Sequence, residues 1–427
     1  MKLTNYEKAL NYIHNLPRLH ETNNLKFVRQ ALEYLDNPQD QIATVHVTGT
    51  NGKGTTCYYL TQFLINNGDK VATFTSPYVE QFTERFQIDE IPVSPETIVD
   101  LTRQVDQVVK QIKKQDSEFY LVEFEFLVVM MFLLCVQEQV DWGIIEAGIG
   151  GQHDKTNVIH PKLSIITNVG LDHMKLIGPT LEDIAREKAG VIKQDVPILL
   201  GDITPDVLSI FLETAKQKQA PVFKFRDDFT ISNVKMRESK TTFFTWQDPN
   251  YLWKNLQLNT ISKTQLQDVA LAIKAYVTLV SHPDVNDIQR GLRVYGLPAR
   301  MQFLSEEPLI ILDGAHNLPA ITQLLADIQP LKQSKRLIVL YAAMQDKQRD
   351  AILTSISKVA TQIFVTQLTE QRSAKEMDYQ LPKQAIFVPS WRLAFGQAVN
   401  SLDNDSLLLI CGSLHFAGDI LRLLKEN

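Results

Sequence analysis

The chain lacks the features that mark exported, membrane-spanning or nucleic-acid-binding proteins. It has only three cysteines in 427 residues, Cys57, Cys135 and Cys411. An odd number of widely spaced thiols in apolar surroundings excludes a disulfide framework and a metal knuckle, and points to a reducing compartment. No Lys/Arg stripe stands out from a net charge of -6, so no nucleic-acid partner is expected. The longest uncharged apolar run, Phe126 to Val136, is too short to cross a bilayer and reads as a buried helix. The amino terminus, Met1-Lys2-Leu3-Thr4-Asn5-Tyr6-Glu7, has no apolar core of an export signal. Low-complexity tracts and repeats of solenoid period are also missing. What is left is a cytoplasmic globular protein with no membrane partner, expected to be a monomer and, at this length, to have two domains.

What is present centres on His46-Val47-Thr48-Gly49-Thr50-Asn51-Gly52-Lys53-Gly54-Thr55-Thr56. An apolar strand-like run, Ile42 to Val47, delivers a glycine-rich turn directly into a helix-like segment. Glycines at 49, 52 and 54 let backbone N–H groups approach anionic oxygens, and the helix start adds its positive dipole end. Lys53 can reach outer phosphates, and Thr55 or Thr56 can offer a hydroxyl to Mg²⁺. The spacing is not the usual phosphate-loop spacing, since Gly54 separates Lys53 from Thr55. A glycine cluster alone is most often only a turn. The strand before it, the lysine within it and the threonines after it favour phosphate.

Strand-length apolar runs alternate with amphipathic helix-length stretches, which predicts parallel sheets covered on both faces by helices. The fold class is therefore α/β, with an N-terminal parallel-sheet ATPase domain of P-loop type (residues 1–296) and a smaller, doubly wound C-terminal α/β domain (residues 297–427). The boundary is placed at Gly296-Leu297-Pro298, after a helix predicted from Val285 to Tyr295. Thr180 followed by Asp183 is a capping-box signal for a helix running to Lys193. A small hairpin is expected between Phe229 and Leu258, turning at Asp248-Pro249-Asn250.

Several polar residues stand where such sheets place chemistry, at the carboxyl ends of strands. Ser76, Glu146 and His173 do so in the first domain, and Asp313 in the second. A glutamate inside an apolar run needs a partner or a cation. Together these three can ligate a divalent ion shared with nucleotide phosphates, although Mg²⁺ prefers oxygen ligands. The plainer readings are a helix cap for Ser76, a buried salt bridge for Glu146, a core histidine for His173, an Asp-Gly turn at Asp313 and an exposed helical lysine at Lys188.

These residues bring a family with them. The sequence resembles folylpolyglutamate synthases and, more distantly, the Mur peptide ligases. The shared blocks run in order: Thr48 to Thr55, Thr75-Ser76-Pro77-Tyr78, Glu84-Arg85-Phe86, Glu123-Phe124-Glu125, Glu146 to Gly151, Gly170-Leu171-Asp172-His173, Glu187-Lys188-Ala189-Gly190, Pro298-Ala299-Arg300, Leu312 to Asn317 and Gly412-Ser413-Leu414. The resemblance implies an ATP-dependent ligase, with ATP and Mg²⁺ as cofactors and folate and L-glutamate as substrates. It implies that Gly49, Thr50, Asn51, Gly52, Lys53, Gly54 and Thr55 cradle the phosphates. Ser76, Glu146 and His173 match metal positions, and Lys188 matches a carbamylated lysine able to hold a second Mg²⁺. Arg300 and Asp313 match nucleotide contacts from the domain junction and the second domain, and His316 a group positioning the glutamate or the intermediate. Arg85, Glu123, Phe124, Glu125 and Asp154 fall in folate-side segments.

The departures fall on the adenine and pterin sides. Asp268 stands where the family has an asparagine beside ATP, and an aspartate there is expected to repel the nucleotide. Val122 replaces a threonine, Gln152-His153-Asp154-Lys155-Thr156-Asn157 departs from an Arg-Leu-Asp-Ala-Thr-Asn pattern, and His415 replaces a common tyrosine. Beside folylpolyglutamate synthesis, three alternatives stay open: dihydrofolate synthesis, alone or combined with it, amide ligation on another carboxylate, and a nucleotide-binding paralogue without catalysis.

Overall fold

The computed structural model describes residues 5–237, 240–294, 297–333, 335–370 and 372–426. The first sheet is built from β1 (Ala43–Thr48), β2 (Val71–Phe74), β3 (Phe86–Ile88), β4 (Ile91–Pro92), β5 (Trp142–Glu146), β6 (Leu163–Ile166), β7 (Ile198–Leu200) and β8 (Val222–Lys224). Its order is β4-β3-β2-β5-β1-β6-β7-β8. β1 runs parallel to both neighbours, with Val47 opposite Glu146 and Thr48 opposite Ile166. The connection from β1 leads to β2 on one side of it, and the connection from β5 leads to β6 on the other, and in open α/β sheets such a switch point opens a crevice at the strand ends.

Strand alternation sorts the core into two layers. Val45, Val47 and Ile144 pack with the helices Lys53–Asn67 and Lys263–Leu279, whereas Ala72, Phe74 and Ile145 pack with the helices Pro95–Lys113 and Glu123–Gln137. The last of these is apolar on all sides, so only full burial suits it, and Phe126, Val128, Val129 and Phe132 are indeed fully buried.

Three details differ from the sequence expectation. The sheet is parallel only from β2 to β8, because β3 and β4 add an antiparallel edge. In place of a hairpin, β9 (Thr230–Met236), β10 (Thr242–Gln247) and β11 (Leu252–Leu258) form a three-stranded antiparallel sheet. Its β10–β11 turn falls at Asp248, whose Oδ1 accepts from the Asn250 and Tyr251 amides. The helix opened by the Thr180/Asp183 capping box ends early, at Ala189. Gly190 follows, and a Cβ there would lie 2.4 Å from the Gln152 Cα, so the chain turns away against that loop.

The second sheet contains β12 (Gln302–Glu306), β13 (Leu309–Leu312), β14 (Arg336–Ala342), β15 (Gln362–Gln367), β16 (Ala385–Ser390) and β17 (Ser406–Cys411), in the order β12-β13-β17-β14-β15-β16. The edge strand β12 is half-exposed and has only Phe303-Leu304 between polar residues, which is why pattern reading passes over it; β16 is passed over although it carries the short apolar run Ala385-Ile386-Phe387-Val388. The chain crosses between the sheets after the helix Val285–Arg293. Gly296 of the expected boundary and Tyr295 of the expected helix end lie outside the described residues. No described helix is long and apolar enough to cross a membrane. Cys57, Cys135 and Cys411 are all buried, one in each of three separate apolar clusters.

Candidate active site

Both sheets turn their carboxyl ends toward one cleft of about 410 Å³. From the first sheet come the loop after β1, Ser76 after β2, Glu146 at the end of β5, and the Thr167 to His173 segment after β6. From the second come Asp313, Gly314, His316 and Leu414, with Arg300 at the junction.

The phosphate loop is held from behind by the chain leaving β6. The Thr50 amide donates to the Asn168 carbonyl at 3.1 Å, the Asn51 amide to Asn168 Oδ1 at 3.0 Å, and Thr167 Oγ1 to the Asn51 carbonyl at 2.5 Å. Gly52 has φ +80°, and a Cβ there would lie 2.1 Å from Asp268 Oδ1, so only glycine fits. Lys53 starts the following helix and folds back on its own loop. Its Nζ donates to the Gly49 carbonyl at 3.1 Å and lies 4.0 Å from Glu146 Oε1.

The expected metal positions converge at the same end. The Ser76 amide donates to Glu146 Oε2 at 3.3 Å, and the buried Ser76 Oγ has no hydrogen-bond partner among the described residues. Burial holds the Glu146 carboxyl above its ordinary range, against the pull of Lys53. An orphaned hydroxyl beside a desolvated carboxylate suits a hard cation. His173 also lines the cleft, and burial pushes its imidazole down to about 4, leaving it neutral and able to ligate. Among the described residues no group of three His, Cys, Asp or Glu side chains forms a self-sufficient metal cage. That suits an ion held by one carboxylate, a hydroxyl, water and phosphates.

Lys188 does not line the cleft. It is buried at 3 % exposure behind the Gly150-Gly151 turn, and burial, followed by the charge of Lys53, pushes its amine down to about 7. Gly49 is likewise behind the loop, against Thr167.

Sequence reading missed a hub at Asp172. Its carboxylate takes Lys347 Nζ at 2.6 Å and Asn317 Nδ2 at 3.3 Å, with His316 Nε2 at 3.5 Å and His173 Nε2 at 3.9 Å. Burial alone would raise this acid, but His316, Lys347 and His173 hold it far below the carboxylate range. Lys347 follows β14 within five residues, so the strand-end rule that found Asp313 could have found it. Asn317 also donates to Asn51 Oδ1 at 2.9 Å, tying the second unit to the phosphate loop. Asp313 accepts from the Met301 and Ala315 amides, both at 2.7 Å, and so anchors the junction beside Arg300.

The residues expected on the folate side form a neighbouring cluster outside the cleft. The Arg85 guanidinium lies 5.2 Å over the Tyr78 ring and 5.8 Å over Phe82, with its buried Nε unpartnered among the described residues. Glu123 pairs with His14 at 2.9 Å, and Phe124 packs on Gly148. Two expectations are revised. Glu125 is fully buried and committed to His20 at 2.6 Å, Lys155 at 3.3 Å and the Val122 amide at 3.1 Å. Asp154 is buried and accepts from the Ile149 amide at 2.7 Å and from the Thr156 amide and hydroxyl at 3.0 and 2.5 Å. Both Asp154 oxygens are occupied by protein donors, whereas Glu125 takes His20 and the Val122 amide on Oε2 and leaves its buried Oε1 with an ion-pair contact to Lys155 and no hydrogen bond among the described residues.

Two family models match the chain: a Mur ligase middle domain over residues 47–275 and a Mur ligase, glutamate ligase domain over 299–414. The folylpolyglutamate synthase of Lacticaseibacillus casei is 31% identical over 98% of this chain and 99% of that protein. The dihydrofolate synthase/folylpolyglutamate synthase of Bacillus subtilis is 30% identical over 99% of this chain and 100% of its own length. Among solved structures, an FPGS-AMPPCP-folate complex superposes with a TM-score of 0.88 at 29% identity, covering 99% of this chain and 100% of that one.

Proposed function

The chain belongs to the folylpolyglutamate synthase family of Mur-type ligases, and from that premise we propose that it adds L-glutamate to the γ-carboxylate of a reduced folate, driven by ATP. The observation that carries the reading is the convergence on one cleft of the phosphate loop, Glu146 and the Arg300, Asp313 and His316 set from the second unit. A carboxylate does not acylate an amine in water, because oxide is not a viable leaving group. Transfer of the γ-phosphoryl group gives an acyl phosphate and ADP. The glutamate amine then attacks the acyl carbon, forming the amide and expelling inorganic phosphate.

In the first step an anionic nucleophile meets an anionic phosphate, so charge compensation dominates the barrier. Lys53 is placed to move from its loop carbonyls onto the transferring group. Mg²⁺ at Ser76, Glu146 and His173 would supply the remaining neutralisation on the phosphate oxygens. Arg85, Glu123 and Phe124 face the folate, while Arg300 and Asp313 hold the nucleotide from the junction. His316, with its ring nitrogens toward the Gly314 carbonyl and Asp172, orients the amine or the intermediate. Closure of the two units keeps water from the acyl phosphate.

Incubation with ATP, Mg²⁺, L-glutamate and tetrahydrofolate should yield a product heavier by one glutamyl unit in mass spectrometry. Unchanged pterin with no ADP release sinks the reading. The Bacillus subtilis relative, named for both activities, favours testing dihydropteroate in parallel as a second acceptor.

Lys188 fits a carbamate that would hold a second Mg²⁺. Addition of CO₂ to its amine forms an N–C bond and releases a proton, and only the neutral amine reacts. With the amine pushed down to about 7, the reactive form is abundant at neutral pH and declines as pH falls below that value. Stripping bicarbonate should therefore lower turnover about tenfold, with recovery on adding it back and a ¹³C carbamate signal absent from Lys188→Met. Turnover indifferent to CO₂ would remove this role.

A further inference from the structure

Asp268 is the cleft residue whose surroundings contradict the expectation of charge repulsion. It stands on the helix Lys263–Leu279, lines the cleft and is 6 % exposed. Both carboxyl oxygens press on the phosphate loop, lying 2.1 and 2.7 Å from where a Gly52 Cβ would be. Among the described residues no hydrogen bond or ion pair closes on them, and Arg300 acts only through its charge. The charged and titratable groups around it are Lys53 and Tyr59 of the phosphate-loop helix, Arg300 of the junction and Asp202 beyond β7. Burial pushes the acid well above its ordinary range, and Arg300 opposes that only in part.

An ionised carboxylate has only lone pairs to offer, and so do phosphate oxygens and the ring nitrogens of a base. A carboxylic acid in the same place has an O–H to give, and burial away from water favours that neutral form. We propose that Asp268 serves as a carboxylic acid that donates its O–H to the bound nucleotide, so that the nucleotide complex holds a proton the ionised side chain would lack. The proposal rests on reading this cleft as the ATP site.

The test measures Mg²⁺-ADP affinity of the full-length protein and of Asp268→Asn by calorimetry, between about pH 6 and 9. The amide donates an N–H without titrating, so the variant is the reference that cancels ionisation of the nucleotide itself. The ratio of wild-type to variant affinity should fall about tenfold per pH unit once Asp268 ionises. Repeating the titration on wild type alone, in buffers of different ionisation enthalpy, should show uptake of as much as one proton beyond that of the nucleotide's own ionisation, a readout available even if the variant folds poorly. A ratio flat across pH, or wild-type proton uptake no greater than the nucleotide's own, overturns the proposal. So does a ratio rising with pH, which would place an ionised Asp268 against Arg300. If neither protein binds the nucleotide, the ATP-site reading itself fails.

Discussion

Lys53→Ala should lower turnover about a thousandfold or more while leaving the fold intact. The amine has no structural load to lose. It rests on the Gly49 and Thr50 carbonyls of its own turn, and its contact with Glu146 is long, at 4.0 Å. The turn is held instead by Thr167, Asn168 and Gly170 behind it. What the variant lacks is the one protein cation inside the phosphate loop, at the moment when charge builds between an incoming carboxylate and the γ-phosphate. Single-turnover ADP release, read beside thermal unfolding and nucleotide affinity, checks this. Turnover within tenfold of wild type would contradict the role.

Glu146→Gln should be nearly as damaging to turnover, by roughly a hundredfold to a thousandfold, with the apparent Mg²⁺ requirement raised. The effect on stability should have the opposite sign. Because burial holds the folded-state pKa of Glu146 above its unfolded value, the native state binds that proton more tightly. Its penalty is therefore absent below the ordinary carboxylate range and grows as pH rises through the folded value. At neutral pH without metal the glutamine variant should unfold at a higher temperature than wild type, and added Mg²⁺ with nucleotide should raise only the wild type appreciably. An active site that carries its own destabilising charge commonly behaves this way. A variant that melts lower and still turns over would place Glu146 in a buried salt bridge and nowhere else.

The legible parts of this site were those written in local chemistry. Three glycines around Lys53 announce a turn that brings backbone N–H groups together, and Glu146 stands out because a carboxylate inside Trp142-Gly143-Ile144-Ile145 has no cheap explanation. Parallel strands were legible from their continuous apolar runs. The antiparallel edges β3, β4 and β12 were not, since a half-exposed strand needs no such run, and the parallel edge β16 was passed over despite its short run Ala385 to Val388. The Asp172 hub was hidden for another reason. Its partners Asn317 and Lys347 lie 145 and 175 residues away, and no periodicity links positions across two sheets. Asp154 shows the converse: its residue type suggests recognition, but the Ile149 amide and the Thr156 amide and hydroxyl take both of its oxygens first. For Asp268, sequence supplies the residue type and only the structure shows the burial that raises its acid above the ordinary range.

The three cysteines, one per apolar cluster, have a use beyond reading the cellular compartment. Each thiol is sealed off from alkylating reagents until its own layer opens, so labelling rates at Cys57, Cys135 and Cys411 time the breathing of three parts of the molecule separately. Cys57 sits one turn into the helix begun by Lys53, which makes its labelling rate an optical-free clock for how firmly a nucleotide staples that layer shut.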